Sequence, residues 1–297
     1  MTEIPHPSLS DRLSDTVFRG LMALARSLPY ERRVPMMGWA VTHLVAPVAG
    51  WRRRIRANLA LTCPELPTAE VERLVRAVPD NVGRSLAEIY SGEEFLARVR
   101  NLPLEGPGAA ALQAAHDEGR PVIVAAGHFG NYDAWRGALA GRGYRIGAIY
   151  RPMGNALFNR HYLRAISAIA TPLFARDHDL KAMLRFLRSG GMVAFGFDQF
   201  FRQGAHLTFF GRPAQTPTSA AELALKLKAD LIPIYAIRQP DGLSFRILVE
   251  APVPHSDAET MTQALNDALE RQIRAHMEQW LWVHRRWKDR RPKTPQA

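Results

Sequence analysis

Pro121-Val122-Ile123-Val124-Ala125-Ala126-Gly127-His128-Phe129-Gly130-Asn131-Tyr132-Asp133 runs from an apolar segment straight into a polar, glycine-bounded turn. Six apolar residues, β-branched at their centre and closed by glycine, read as a buried strand ending at Ala126. A helix is expected to open at Tyr132 and to run to about Leu139. Strand, turn and helix in that order are the repeating unit of an open α/β sheet, whose ligands gather at the carboxyl ends of the strands. The turn also carries a histidine and, five positions on, a carboxylate.

Downstream the same texture recurs. Strands are expected over 144–150, 192–197, 231–237 and 243–249, with helices over 156–169, 179–188 and 219–228 and a long closing helix over 260–282. This alternation predicts an α/β fold with a largely parallel central sheet covered by helices. Upstream the chain reads as helical over 11–28, 35–46, 68–77 and 81–96, broken at Pro64–Pro67 and interrupted at Pro79. Residues 101–108 form a Pro/Gly linker, and 109–116 a short helix. The expected organisation is a helical, membrane-contacting region over 1–100 and an α/β core over 101–297, together one compact unit.

Composition narrows the classes. With 47% hydrophobic and 23% charged residues, a mostly disordered chain is excluded. The single cysteine, Cys63, rules out an internal disulfide and a Cys-rich zinc site. Net charge is +11, which suits nucleic acid, an anionic membrane surface or an acidic protein partner. The excess is clustered in Arg52, Arg53, Arg54 and Arg56, and again in Arg285, Arg286, Lys288, Arg290, Arg291 and Lys293. The first residues lack the basic-then-apolar order of a signal peptide. Residues 34–51 are apolar apart from Thr42 and His43, but Pro35, Gly38 and Pro47 interrupt them, so a clean spanning helix is not expected. Trp39, Trp51 and the arginines that follow suit a segment lying among lipid headgroups; a buried helix with basic flanks is the alternative.

A histidine followed at five positions by an acid occurs three times, at His6/Asp11, His128/Asp133 and His284/Asp289. About one such match is expected by chance, so spacing alone carries little. Context separates them: only His128 follows a strand, sits between glycines and opens a helix. Gly127 and Gly130 allow close backbone approach, and a helix N-terminus there offers N–H groups to a developing anion. A histidine in that place suits general-base work, with a carboxylate on its other ring nitrogen fixing the tautomer. A histidine that merely caps its helix, with Asp133 at the surface, is the alternative. Arg151 and Asp198-Gln199 stand at the ends of two further strands, where a parallel sheet brings them beside His128. Arg160 and Arg164 share one face of the 156–169 helix, either as an anion site or as a solvated face. Phe195, Phe197, Phe200, Phe201, Phe209 and Phe210 offer an apolar slot for an acyl chain, or ordinary core.

Five segments occur in order: His128-Phe-Gly-Asn-Tyr-Asp133, Tyr150-Arg-Pro-Met-Gly-Asn155, Phe197-Asp-Gln199, Phe209-Phe-Gly-Arg-Pro-Ala-Gln-Thr-Pro217 and Glu278-Gln-Trp-Leu-Trp-Val-His-Arg-Arg-Trp-Lys288. Together with Arg53–Leu61 they resemble the late lipid A acyltransferase family of lauroyl and myristoyl transferases. That family also includes mycobacterial phosphatidylinositol-mannoside acyltransferases and proteins called lysophospholipid acyltransferases. The resemblance implies transfer of a fatty acyl group from an acyl-carrier-protein or coenzyme A thioester to a hydroxyl of a membrane lipid. It implies work at the cytoplasmic face of the bacterial inner membrane, with no metal and no cofactor beyond the thioester. By similarity His128 is the base, Asp133 its partner, Asp198 an acid beside the dyad, and Arg151 an arginine near the site. Gly130, Gln199 and Arg160 are supporting residues. Asp133 stands where many late lipid A enzymes have glutamate, and the N-terminal segment is less apolar than the enterobacterial anchor. A lipid A precursor is the first acceptor to consider, with a lysophospholipid or another glycolipid as the alternative. A non-enzymatic nucleic-acid-binding protein is the reading of a different class, resting on the basic blocks and the aromatic-basic stretch 280–287. No nucleic-acid partner is expected if the resemblance holds.

Overall fold

The computed structural model describes residues 8–288. His6, Asp289, Arg290, Arg291 and Lys293 therefore lie outside the described residues. The chain opens with helices: α1 (Leu9–Arg26), α2 (Tyr30–Ala40), a π-helical turn (Val41–Val45) running into α3 (Ala46–Val48), α4 (Trp51–Thr62), α5 (Thr68–Ile89) and α6 (Glu93–Val99). Alternating elements follow: β1 (Leu104–Glu105), α7 (Ala109–Asp117), β2 (Val122–Ala126), α8 (Ala134–Gly141), β3 (Ile146–Tyr150), α9 (Ala156–Ile169), β4 (Leu173–Ala175), α10 (Leu180–Arg188) and β5 (Met192–Gly196). A hairpin of β6 (Ala205–Phe209) and β7 (Arg212–Thr216) precedes α11 (Ser219–Leu227), β8 (Asp230–Arg238), β9 (Phe245–Val249) and α12 (Ala258–Ala275).

Seven strands form one sheet in the order β1-β9-β8-β2-β5-β3-β4. Every pairing is parallel except the β8–β9 hairpin. The expected class, an α/β fold with a largely parallel sheet, is the observed one. β2 lies at its centre with all five residues buried, because alternate side chains enter two different cores. Ile123 and Ala125 join a cluster with Leu59 of α4, Val75 of α5, Ala221 of α11 and Leu265 of α12. Val122, Val124 and Ala126 join the other, with Met37 of α2, Val99 of α6, Leu112 of α7 and Trp135 of α8. The N-terminal helices thus supply core to both faces of the sheet.

Several elements depart from expectation, among them α4, β1 and β4, where the sequence predicts no regular element. α5 runs unbroken through Pro79, although proline forfeits a helical hydrogen bond. Leu74, Val75, Val78 and Pro79 are all buried, and that packing offsets the lost bond. The crossing of α2 over α5 is close enough that a Cβ on Gly83 would lie 2.4 Å from the Met37 carbonyl oxygen. The closing helix stops at Ala275 rather than at 282. Residues beyond it are drawn out to pair with the His128 turn: Gly130 N–H donates to the Gln279 carbonyl (2.8 Å) and Leu281 N–H to that of His128 (3.1 Å). The β6–β7 hairpin has no counterpart in the expected elements; Phe210 and Gly211 take positive φ at its tip. No helix among the described residues is long and apolar enough to cross a membrane.

Candidate active site

His128 and Asp198 meet because β2 and β5 are parallel neighbours in register. Ala126 pairs with Gly196, and each side chain lies two residues beyond that last pair. Asp198 Oδ1 lies 2.7 Å from His128 Nδ1. Its Oδ2 accepts the His128 backbone N–H at 2.7 Å and the Trp280 indole N–H at 2.9 Å. With Nδ1–H donating to Asp198, the lone pair of the ring resides on Nε2, where the Gln199 amide nitrogen approaches to 3.2 Å. The His128 side chain keeps 31% of its surface open, whereas Asp198 keeps 2%. Burial pulls the imidazole pKa down, but the Asp198 charge and hydrogen bond outweigh it and hold it above the ordinary value. Burial likewise opposes ionisation of Asp198, yet His128 and the N–H donors bring its carboxyl down to about 2.

Asp133 does not reach the imidazole, which corrects the expected pairing. It stands at the N-cap position of α8 without a side-chain cap bond, and its carboxylate turns to Arg136 one helical turn on, both side chains being buried. Five residues along the chain lead away from the strand end into a helix, whereas the neighbouring strand brings its own acid alongside. Asp133 Oδ2 has no partner among the described residues, and burial raises its pKa against the attraction of Arg136.

The turn is held from behind by buried polar groups of α5 and β8. Asn81 and Ser85 both donate to the Gly130 carbonyl, at 3.2 and 3.1 Å. Asn131 Nδ2 donates to Glu88 Oε2 at 2.7 Å, and its Oδ1 accepts the Asp133 N–H at 3.0 Å. Glu88, wholly buried, is ion-paired to Arg238 at the end of β8. Gln279 brackets Arg238, accepting its N–H at 2.8 Å and donating to its carbonyl at 2.9 Å. Gly130 has φ +59°, and a Cβ there would sit 1.8 Å from the Ala236 carbonyl oxygen. None of Glu88, Arg238, Gln279 or Trp280 was singled out from sequence as a site residue. Asn81, Ser85 and Glu88 form a polar stripe at helical spacing along the buried face of α5.

The other expected residues are scattered around this centre. Gln199 is exposed beside His128 Nε2. Arg151 is exposed just past β3, the neighbour of β5 on the side away from β2. Arg160 and Arg164 are exposed on α9 and form no ion pair among the described residues. Phe195, Phe197, Phe209 and Phe210 are core, so only Phe200 and Phe201 remain half-open. Trp280 and Trp282 are buried among Phe209 and Phe210, which leaves their faces unavailable for stacking on bases. His284 sits in the same extended strap, accepting the Phe200 N–H at Nε2 (2.9 Å); burial lowers its pKa to about 4. Cys63 is buried, and burial pushes its thiol up. Among the described residues no three His, Cys, Asp or Glu side chains are grouped to hold a metal ion.

Comparison with known proteins identifies the family. The family profile described as bacterial lipid A biosynthesis acyltransferase matches residues 11–289. The chain is 27% identical to the lipid A biosynthesis lauroyltransferase of Escherichia coli K12 over 286 residues, which cover 93% of this chain and 92% of that protein. It is 25% identical to the phosphatidylinositol mannoside acyltransferase of Mycobacterium tuberculosis H37Rv over 247 residues, 80% of this chain and 78% of that one. A similar likeness, 25% over 280 residues, links it to the lipid A biosynthesis palmitoleoyltransferase of Escherichia coli K12, covering 91% and 90% of the two chains. With the profile spanning nearly the whole sequence, the chain belongs to the bacterial lipid A biosynthesis acyltransferase family.

Proposed function

We propose that this acyltransferase moves a fatty acyl group from an acyl-carrier-protein or coenzyme A thioester to a lipid hydroxyl, with His128 as general base. The observation that carries the reading is the His128–Asp198 pair, whose free ring nitrogen faces an exposed amide rather than the core. A hydroxyl that displaces the Gln199 amide from Nε2 gives up its proton to His128 while its oxygen attacks the thioester carbonyl. Asp198 stabilises the imidazolium that forms. Collapse of the tetrahedral intermediate breaks the C–S bond, and the proton on Nε2 passes to the departing thiolate. No redox step and no cofactor other than the thioester enter this balance. Gln199, freed from Nε2, is placed to donate to the carbonyl oxygen as it gains charge, and Arg151 adds a cation at the adjoining strand end.

A lipid A precursor is the acceptor favoured by the family, with another glycolipid or a lysophospholipid as the second choice. Exposed apolar side chains on α1 and over 39–48, close in sequence to arginines, support work at a membrane surface, and the family resemblance makes the cytoplasmic face of the inner membrane the proposed one. Purified protein offered acyl carrier protein and coenzyme A thioesters with each acceptor, products read by mass spectrometry, tests the reading. His128→Ala is expected to lose at least 10²–10⁴-fold in transfer while remaining folded by circular dichroism at the assay temperature. Near wild-type turnover in that variant, or release of free fatty acid without acylated lipid, overturns the proposal.

A further inference from the structure

The strap after α12 carries a cation that the acyl-transfer chemistry does not use. Arg286 has no exposed surface, yet no carboxylate pairs with it among the described residues. Its two terminal nitrogens donate to neutral oxygens, the Gln215 carbonyl and the Thr216 hydroxyl, and its Nε has no partner among the described residues. Burying a guanidinium against neutral acceptors alone is unfavourable, because Coulomb attraction does not replace the lost hydration. Burial lowers its pKa to about 10, partly opposed by the Asp198 charge, so it remains a cation at neutral pH.

Arg286 lines a cavity of about 410 Å³ whose walls also include Phe200, Arg202, His206, Trp287 and Lys288. No acidic residue lines it. Lys288 reaches over the Phe200 ring, its Nζ 4.9 Å from the centroid. A second cavity, of about 460 Å³, has Glu222, Asp257 and Glu259 in its wall, so positive lining is not a general habit of this basic protein's surface. The basic cavity adjoins the reaction centre: Phe200 stands two residues beyond Asp198 and next to Gln199, and its N–H is fixed by His284.

We infer that this cleft is a phosphate subsite, in which the exposed Arg202 and Lys288 hold the phosphate group of one substrate, reinforced by the charge of the buried Arg286 in its wall, while His128 handles the reacting end. Two fixed or flexible cations around one buried guanidinium match a phosphate mono- or diester, and the volume suits the group with the atoms flanking it. The inference rests on the acyl-transfer reading for its role, though not for its binding chemistry. A thioester carrying phosphopantetheine and a phosphorylated lipid acceptor present the same chemistry, and the test separates them.

The variant Arg202→Gln/Lys288→Gln changes two exposed side chains and leaves buried Arg286 in place. Pyrophosphate binding to full-length protein, followed by calorimetry at fixed ionic strength, is expected to weaken at least ten-fold in it, and Lys288→Arg alone to retain wild-type affinity. In transfer assays the preference, in kcat/KM, for a phosphate-bearing over a phosphate-free partner is expected to fall at least ten-fold. If it falls for acyl-coenzyme A against acyl-pantetheine, the donor occupies the cleft; if it falls for phosphorylated against dephosphorylated lipid, the acceptor does. Unchanged pyrophosphate affinity together with unchanged preferences on both sides overturns the subsite. Absence of any transfer by the wild type would sink the acyl-transfer reading instead, while pyrophosphate binding would still decide the cleft.

Discussion

Two buried aspartates flank one turn and differ in what holds their charge. Asp198 accepts three hydrogen bonds from His128 and Trp280, whereas Asp133 has Arg136 and one oxygen without a partner. Asp198→Asn is expected to cost about 10²–10⁴-fold in kcat. It should also move the acid limb of the kcat/KM profile. If His128 is the base, the neutral imidazole is the working form, and because Asp198 raises its pKa the limb in the wild type is expected above about 6.5. Without that charge burial dominates and the limb shifts to lower pH; a limb that stays put would refute Asp198 as the partner. The same pair stabilises the fold most below about pH 6.5, and its contribution fades as pH rises through the higher folded value. Asp133→Asn should leave the limb in place and lower the melting temperature instead, because it weakens a buried ion pair worth about 3–5 kcal/mol to break. His128 was legible in the sequence because strand, glycines and helix are local signals. Its partner was not, because the contact with Asp198 spans 70 residues and depends on which strand lies beside β2.

At the scale of elements, the turn after β2 is shaped by α5, the end of β8 and the strap after α12. Gly130→Ala forces a Cβ into the Ala236 carbonyl and a positive φ on alanine, with strain of about 1–3 kcal/mol before the clash is counted. Glu88→Ala strands buried Arg238 and is expected to destabilise by about 3–5 kcal/mol in urea unfolding. The double variant Glu88→Leu/Arg238→Met restores much of that stability by replacing the pair with apolar groups. It cannot restore the acceptor for Asn131 or the donor to Asn81, so transfer should stay impaired by ten-fold or more. Recovery of both stability and turnover would show that the network only fills space. Most helices were legible because a 3.6-residue periodicity reports directly on burial, and the central strands because short β-branched apolar runs end in polar or glycine turns. The end of α12 was not, since 276–282 keep helical composition and are extended only by pairing with the turn. The β6–β7 hairpin was not legible because Phe209-Phe210 reads as an apolar slot or core run, while the strand pairing is made across the tip.

At the scale of the whole molecule, the +11 charge and the outward apolar residues of the first fifty positions raise a single question of docking. Leu9, Leu13, Val17 and Leu24 fall within about 80° of arc at 100° per residue, and all are more than 60% exposed. The opposite side of α1 is tied down by Asp15, which bonds His161 of α9 at 2.9 Å, so the apolar stripe is held outward rather than free to fold in. Arg12, Arg19 and Arg26 are exposed along the same helix. Farther on, Trp39, Leu44, Val45 and Val48 form a second exposed apolar run, Val48 keeping 90% of its surface. A leucine moved fully from water into the acyl boundary contributes about 1.5–3 kcal/mol, and each arginine at an anionic surface about 1 kcal/mol. Vesicles containing anionic phospholipid should therefore sediment the protein, with binding weakened by salt. Leu9→Glu/Leu13→Glu and, separately, Leu44→Glu/Val48→Glu should each lower partitioning at least ten-fold, leaving the unfolding midpoint unchanged because these side chains support no core. If only one pair matters, that surface alone meets the bilayer; if the wild type ignores anionic vesicles, docking by these two surfaces is refuted.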